Sequence, residues 1–483
     1  MTRLIMGPFN RAEGDLEVKL DVDGNTVTSA KVVTPLYRGF EKILQGKDPL
    51  DALVYVPRIC GICSVSQSTA AATALAKLQG VDTPPNGQLA TNIILATENI
   101  ADHFTHFYLF FMPDFTRETY KSEHWFDKTL ERFTAMKGQA AADILPARAE
   151  FLHIVGLLAG KWPHTLSIQP GGTTKTVTPQ EKFRLAAILL RFRKFLEKTV
   201  FGADLEQIGS FSTVSELDAW LEQVGSEHSD FCRFMFLSKQ LNLKALGKTA
   251  NRFMSYGAYS TENDHLFKQG TFTHNMRQSL DTQTITEDVT YSWMANDSKP
   301  RHPFDGVTIP DADMSDGYTW CKAPRLAGQS FEVGALARQI VDGHPLIRDA
   351  LAQSGSNVEN RILARMLEIA LLVPTVQKWI DQLQPGDAFR SHGTTPLHGQ
   401  ATGLVEAARG SLGHWLVVKN GNILNYQIVA PTTWNFSPRD INGNPGPLEQ
   451  ALVGAKLREG ETDAVSVQHI VRSFDPCMVC TVH

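Results

Sequence analysis

Four of the six cysteines stand in two Cys-x-x-Cys pairs, Arg58-Ile-Cys60-Gly-Ile-Cys63 and Asp475-Pro-Cys477-Met-Val-Cys480. That spacing lets two thiolates reach one metal from a single turn of backbone, and Gly61 is expected to relieve crowding where the chain folds tightly. Together the pairs offer four soft ligands. A structural zinc site normally draws both pairs from a short stretch, with about 15–20 residues between them, whereas 414 residue steps separate Cys63 from Cys477. A shared metal site, two independent redox pairs and unrelated buried thiols all stay open on spacing alone, although neither pair sits in the βαβ pattern of a thioredoxin-like motif. Cys232 and Cys321 read as inert core residues.

The elements that must position these thiols belong to an ordinary globular chain. At 483 residues, with 42% hydrophobic and 20% charged residues, it can bury a large core without disulfide staples. The length prior would allow about three domains, but the far-apart pairs argue for one integrated body over residues 1–483. A net charge of -5 excludes the basic footprint of a nucleic-acid binder. The opening MTRLIMGPFNRAEG has no apolar stretch before its first charges, so no secretory signal is expected. The apolar stretch around His106–Met112 lies between Asp102 and Asp114, too short to cross a bilayer, and the cysteine usage suits a reducing compartment. No direct membrane insertion is expected.

Alternation around an Asp-Gly-Asn turn predicts a β-hairpin over 15–34, and an Asn-Gly turn predicts a second over 414–429. Between them helical patterns dominate: Ser66–Leu78, Asn86 to about Phe111, Pro179–Thr199, Ala337–Val341 and Arg361–Gln382. Thr178 with Glu181 three residues on is a capping-box signature for the third of these. The polar, turn-rich stretch from about Ser255 to Asp316 reads as a peripheral β or loop insertion. The fold class is therefore mainly α with small β additions.

RICGICSVSQ together with DPCMVCTVH resembles the paired signature of nickel–iron hydrogenase large subunits. Further segments match in order: RAEG at Arg11–Gly14, YRGFEKIL at Tyr37–Leu44, DHFTHFY at Asp102–Tyr108, GKWPHTLSIQPGG at Gly160–Gly172, KAPRLAG at Lys322–Gly328, EVGALAR at Glu332–Arg338, EAARG at Glu406–Gly410 and PTTWNFSPRD at Pro431–Asp440. The resemblance implies a largely helical body with the metal site deep at its centre. It implies that Cys60, Cys63, Cys477 and Cys480 ligate nickel, with Cys63 and Cys480 bridging to an iron that carries CO and cyanide; thiolates are the soft donors such metals favour. One thiolate of this set would accept the proton when H2 is split, and the sequence does not say which.

Glu13 matches the carboxylate that relays that proton outward; without the family it reads as a surface charge before a hairpin. Arg409 matches the arginine held over the metals, with Asp102 and Asp475 around it. Glu41 and His483, with a backbone carbonyl near Val429, match the ligands of a second, hard cation, usually magnesium. The resemblance implies that the end at His483 matches the point where longer family precursors are cut after nickel insertion, a tail removed or never encoded being equally consistent with the sequence.

Several positions depart from the commonest pattern. Gln67 stands where many members have His, Asp15 follows RAEG where His is common, and Ala408 replaces Pro beside the arginine. Ile62 and Phe110 match positions lined in many members by smaller Val and Leu on the gas route, so they would narrow it against O2; ordinary core repacking is the plainer alternative. With SVSQS, this set resembles the H2-sensing subgroup and its uptake relatives. The expectation is an oxidoreductase acting as a regulatory, cytoplasmic H2 sensor that signals to a histidine kinase. It would work with an iron–sulfur small subunit, in a dimer of heterodimers and with oxygen tolerance. A respiratory uptake hydrogenase, membrane-associated or exported through its partner, is the alternative. A non-catalytic quinone-pocket subunit lacks the four cysteines.

Overall fold

The computed structural model describes residues 2–262, 264–295, 299–458 and 463–483. Near the N-terminus, β1 (Thr2–Met6), β2 (Glu17–Asp23) and β3 (Thr26–Val33) form an antiparallel sheet in the order β1-β2-β3. The predicted hairpin is present, with Val18 opposite Val32 and Leu20 opposite Ala30 turned into the core. β1 was not foreseen.

Two helices then frame the first cysteine pair. α1 (Ser64–Gln79) starts directly after Cys63 and ends at Gly80, whose φ of 64° is the left-handed C-terminal turn that glycine tolerates best. α2 (Pro85–Thr105) opens on a proline, as suits a first helical turn. Its axis continues as a π-helix over His106–Phe111, so the predicted run to Phe111 is helical but changes pitch at its end. α3 (Pro179–Phe195) carries the expected capping box, with Glu181 N–H donating to Thr178 Oγ1. α4 (Ala335–Asp342) and α5 (Val358–Gln382) complete the predicted set, and α5 packs along α2.

A second antiparallel sheet closes over α1. Its strands β4 (Gly399–Ala407), β5 (Gly410–Lys419) and β6 (Asn422–Val429) run in the order β4-β5-β6. The β5–β6 hairpin turns at Asn420-Gly421 as predicted, and β4 is an additional strand. α1 lies so close to β4 that a Cβ on Gly403 would fall 1.8 Å from the Ala70 carbonyl oxygen. Small side chains at Ala70, Ala71 and Ala74 permit that approach. One continuous core joins these layers; among the described residues no helix is long and apolar enough to cross a membrane.

The 255–316 stretch departs from its expectation. Asn263 and residues 296–298 lie outside the described residues, but around them short strands such as Gly270–Thr273 and Ile285–Asp288 are integrated, and Ser255, Tyr256, Glu287 and Thr308 are buried. Its polarity does not mean solvent exposure: Ser255 Oγ accepts from Gly257 N–H, and Glu287 and Thr308 both accept from Lys322 Nζ.

Candidate metal centre

Cys60 follows a tight turn at Val56–Arg58, and Cys63 caps the start of α1. At the other end Asp475, with φ of 59°, turns the chain so that Cys477 precedes a short helix over Met478–Thr481. The N-terminal segment joins these ends. Met478 N–H donates to the Glu13 carbonyl at 2.7 Å, and Glu13 bridges to Cys477 as a one-step parallel ladder. Arg38 donates from one nitrogen to the carbonyls of Ile59 and Val479, each the residue before a cysteine, and so ties both pairs together.

All four thiols are buried, and their sulfurs lie within 4.8 Å of one another. Cys60 Sγ is 3.5 Å from Cys477 Sγ, and Cys63 Sγ is 3.1 Å from Cys480 Sγ. Both distances far exceed the roughly 2.05 Å of a disulfide. The cysteines are free, and their sulfurs converge on one point as ligands of a common soft metal would. Hydrogen bonding from Cys477 and the other two thiols pulls the Cys60 pKa well down; the same neighbours push Cys63 well up. Four sulfurs this close cannot all ionise unless positive charge is placed among them.

Gly61 does not play its expected part. A Cβ there would meet only Pro163 Cγ at 3.9 Å, and its φ is not positive, so the backbone does not require glycine.

Arg409 sits in the two-residue turn between β4 and β5, where Ala407 pairs with Gly410. It is buried and bracketed: Nη1 and Nη2 donate to the two Asp102 oxygens, Nη2 to Asp475 Oδ1 at 3.1 Å, and Nε to the Asp475 carbonyl at 3.0 Å. Burial pushes the Asp102 carboxyl up to about 8; for Asp475 burial also pushes upward, but Arg409, His106, Arg365 and His103 together outweigh it and hold the carboxyl low. Ala408 is the other residue of this turn, its carbonyl accepting from Arg338. Glu13 is half-buried beside the thiols, and burial, reinforced by Cys60, raises its pKa.

A second polar centre surrounds Glu41, which is buried on a short helix, Phe40–Leu44. Its carboxylate accepts from His483 Nε2 at 3.1 Å, Lys322 Nζ at 2.9 Å and Ile428 N–H at 2.9 Å. Lys322 also reaches Glu287 at 3.4 Å and Gln427 at 2.7 Å. Glu287 Oε1 is buried without a hydrogen-bond partner, and Val429 is a buried strand residue opposite Gly413.

Gln67 faces the second sheet: its Oε1 meets His414 Nε2 at 2.8 Å, and His414 Nδ1 meets the Tyr426 hydroxyl at 2.8 Å. Burial lowers the His414 pKa to about 3, so this contact is neutral. Ile62 lies beside the first pair, its N–H donating to Cys60 Sγ at 3.3 Å. Phe110 stands on the π-helix, half-buried, its carbonyl accepting from Arg11 at 2.9 Å.

A family model described as nickel-dependent hydrogenase matches residues 38–124 and 139–483, most of the chain. The chain belongs to that family. It is 28% identical to the periplasmic [NiFeSe] hydrogenase large subunit of Desulfomicrobium baculatum, covering 100% of this chain and 95% of that one. It is 29% identical to the hydrogenase-1 large chain of Escherichia coli at the same coverage. Its fold matches a solved Ni-Fe-Se hydrogenase from D. vulgaris Hildenborough with a TM-score of 0.85, at 29% identity and 100% coverage of both chains.

Sequence reasoning about this hydrogenase chain passed over residues whose partners are distant in sequence. Glu98 on α2 caps α1, accepting from Val65 and Ser66 N–H at 2.9 and 3.0 Å and from Trp162 Nε1 at 2.9 Å; burial pushes its carboxyl up to about 7. Arg38 and Lys322 lay inside quoted motifs without a role. Cys232 and Cys321 are buried and free, as expected.

Proposed function

We propose that this chain is the H2-splitting large subunit of a nickel–iron hydrogenase, working beside an iron–sulfur small subunit. The observation that carries this reading is the convergence of four buried thiols from opposite ends of the chain, next to an arginine held by two carboxylates. When bound, the nickel–iron group with its CO and cyanide ligands supplies the Lewis-acid chemistry that polarises H2 for heterolytic cleavage.

The chain's own residues do the rest. Cys60, Cys63, Cys477 and Cys480 would hold the metals through their buried sulfurs. A thiolate of this set takes the proton, and Glu13, fixed by its backbone bond to Met478, receives it on the way to solvent. Asp102 and Asp475 orient Arg409 toward the site, where its guanidinium would face cyanide or the reacting gas. Glu41, His483 and the Val429 carbonyl would hold a magnesium ion, and the unpartnered Glu287 oxygen beside them is a further acceptor such a hydrated cation could use. Electrons leave through the partner, because Cys232 and Cys321 cannot supply the cysteine sets an iron–sulfur cluster needs.

The test is metal analysis and infrared spectroscopy of the purified complex. Nickel bound to the large subunit, iron in excess of nickel because the partner's clusters add to it, and CO and cyanide bands are expected; mature protein without nickel or those bands would overturn the reading.

A second reading refines the first: a cytoplasmic H2 sensor signalling to a histidine kinase as a dimer of heterodimers. What supports it is Ile62 and Phe110 at the gas-route positions, bulky enough to disfavour O2, and Gln67 held in a neutral contact where a titratable donor would otherwise stand. Slow turnover with a co-purifying kinase is expected of the sensor, and fast turnover with a membrane electron acceptor of the uptake enzyme.

A further inference from the structure

Two peptide carbonyls immediately precede Arg409, and a single buried side chain holds both. Arg338 on α4 donates from Nη1 to the Ala407 carbonyl at 2.7 Å and from Nη2 to the Ala408 carbonyl at 3.1 Å. Its remaining bonds go to carboxylates: Nε and Nη2 to the two Glu368 oxygens at 3.1 and 2.7 Å, and Nη1 to Glu406 Oε2 at 2.9 Å. A guanidinium has five N–H donors in a fixed fork, and all five are engaged here without any reaching the metal centre.

The supports of Arg338 are themselves fixed. His103, next to Asp102 on α2, meets Glu368 Oε1 at 3.1 Å. Glu406 accepts from Tyr256 N–H at 2.8 Å and from the Ser411 hydroxyl. Across the turn the backbones leave no slack: a Cβ on Gly410 would fall 2.6 Å from Gly334 N, and one on Gly334 would fall 3.3 Å from the Arg409 carbonyl oxygen. The Arg409 turn is gripped on one side by Arg338 and on the other by the Gly334 backbone.

We propose that Arg338 is a positioning residue for H2 cleavage: by clamping the carbonyls of Ala407 and Ala408, it fixes the turn that aims Arg409 at the metal site. This rests on the reading that Arg409 acts there. A lysine keeps the charge but is a flexible point donor, unable to span two carbonyls and two carboxylates at once. A merely structural ion pair between α4 and α5 would leave Arg409 and its chemistry unmoved.

The experiment compares Arg338→Lys, Arg409→Lys and the double variant as purified, nickel-loaded complexes. Arg325→Lys serves as control, since Arg325 is equally buried but pairs with Asp440, away from the turn. Readouts are kcat and KM for H2, and the cyanide stretching bands. Displacement of a catalytic group by about 1 Å can lower turnover about 10²-fold. A loss of that order in kcat is expected for Arg338→Lys, with KM little changed and the cyanide bands moved as in Arg409→Lys. The double variant should be scarcely worse than Arg409→Lys alone, because groups acting as a unit are not additive. Unmoved cyanide bands, wild-type kcat, multiplying losses, or an equal effect from Arg325→Lys would overturn the positioning role. Full activity in Arg409→Lys would instead overturn the reading of Arg409 itself. If Arg338→Lys does not load nickel, Glu368→Gln loosens the clamp while keeping Arg338; a smaller fall in kcat with the same band shift is then expected, and unmoved bands would overturn the proposal.

Discussion

Gly403→Ala tests whether the packing of α1 sets the geometry of the metal site. The added Cβ would lie 1.8 Å from the Ala70 carbonyl oxygen and 2.8 Å from Ala74 N, and real Cβ contacts do not go below 3.0 Å. Both clashing atoms are helix backbone, so no side chain can swing away. Either α1 retreats from β4 by about 1.2 Å, or β4 bends away from it. Overpacking of this kind costs about 1–3 kcal/mol, sometimes more. The functional consequence is larger than the loss of stability, because Cys63 is the residue from which α1 starts and Gln67 lies one turn on. A shift near 1 Å at a reacting centre can remove about 10²-fold in turnover. Thermal unfolding, nickel content and H2-oxidation kinetics of the purified complex would measure these effects. A variant with wild-type melting temperature, nickel and kcat would refute the idea that the α1–β4 contact holds the first cysteine pair in place.

Arg38→Ala removes the guanidinium joining the carbonyls of Ile59 and Val479; nickel affinity should fall about 10–100-fold, as for other groups that orient metal ligands, with competition by a chelator as the readout. For Glu449, burial pushes the carboxyl up to about 7 from 4.5. The folded chain therefore binds the extra proton between those pH values, so its stabilising effect is complete below about pH 4.5 and is lost as pH rises through 7. That loss amounts to about 3 kcal/mol at most, and melting temperatures across this range should slope less in Glu449→Gln than in the parent. Ile62→Val combined with Phe110→Leu should make H2 oxidation more sensitive to O2; identical inhibition curves in the single and double variants would reject the gas gate.

The hairpins were legible because their turns are local: Asp-Gly-Asn and Asn-Gly flanked by alternating residues point to one chain reversal. β4 was hidden because its turn to β5 is Ala408-Arg409, which carries no turn signature, and β1 because its partner lies across a loop. Several helices were visible from periodicity, but others such as Gln139–Phe151 and Asp230–Leu241 were passed over. Of the site, the cysteines announced themselves by spacing, but their convergence is a tertiary fact that only the family resemblance anticipated. Glu98, Arg338 and Glu287 look like surface charges in sequence because burial of a charge is decided by partners supplied from elsewhere. The same limit made the 255–316 stretch look peripheral when Ser255, Glu287 and Thr308 are buried inside the body.

The bridge between Glu13 and Cys477 has a consequence for how metal loading reports on the rest of the chain. Either cysteine pair alone is a two-toothed chelator, available even to an unfolded polypeptide. The four-toothed site exists only once helices, both sheets and the N-terminal segment have brought residues 60 and 480 together. Binding that favours the complete site is free energy added to the folded state. Nickel retention therefore gauges the integrity of the whole body, and damage far from the cysteines should first be seen as metal that washes out.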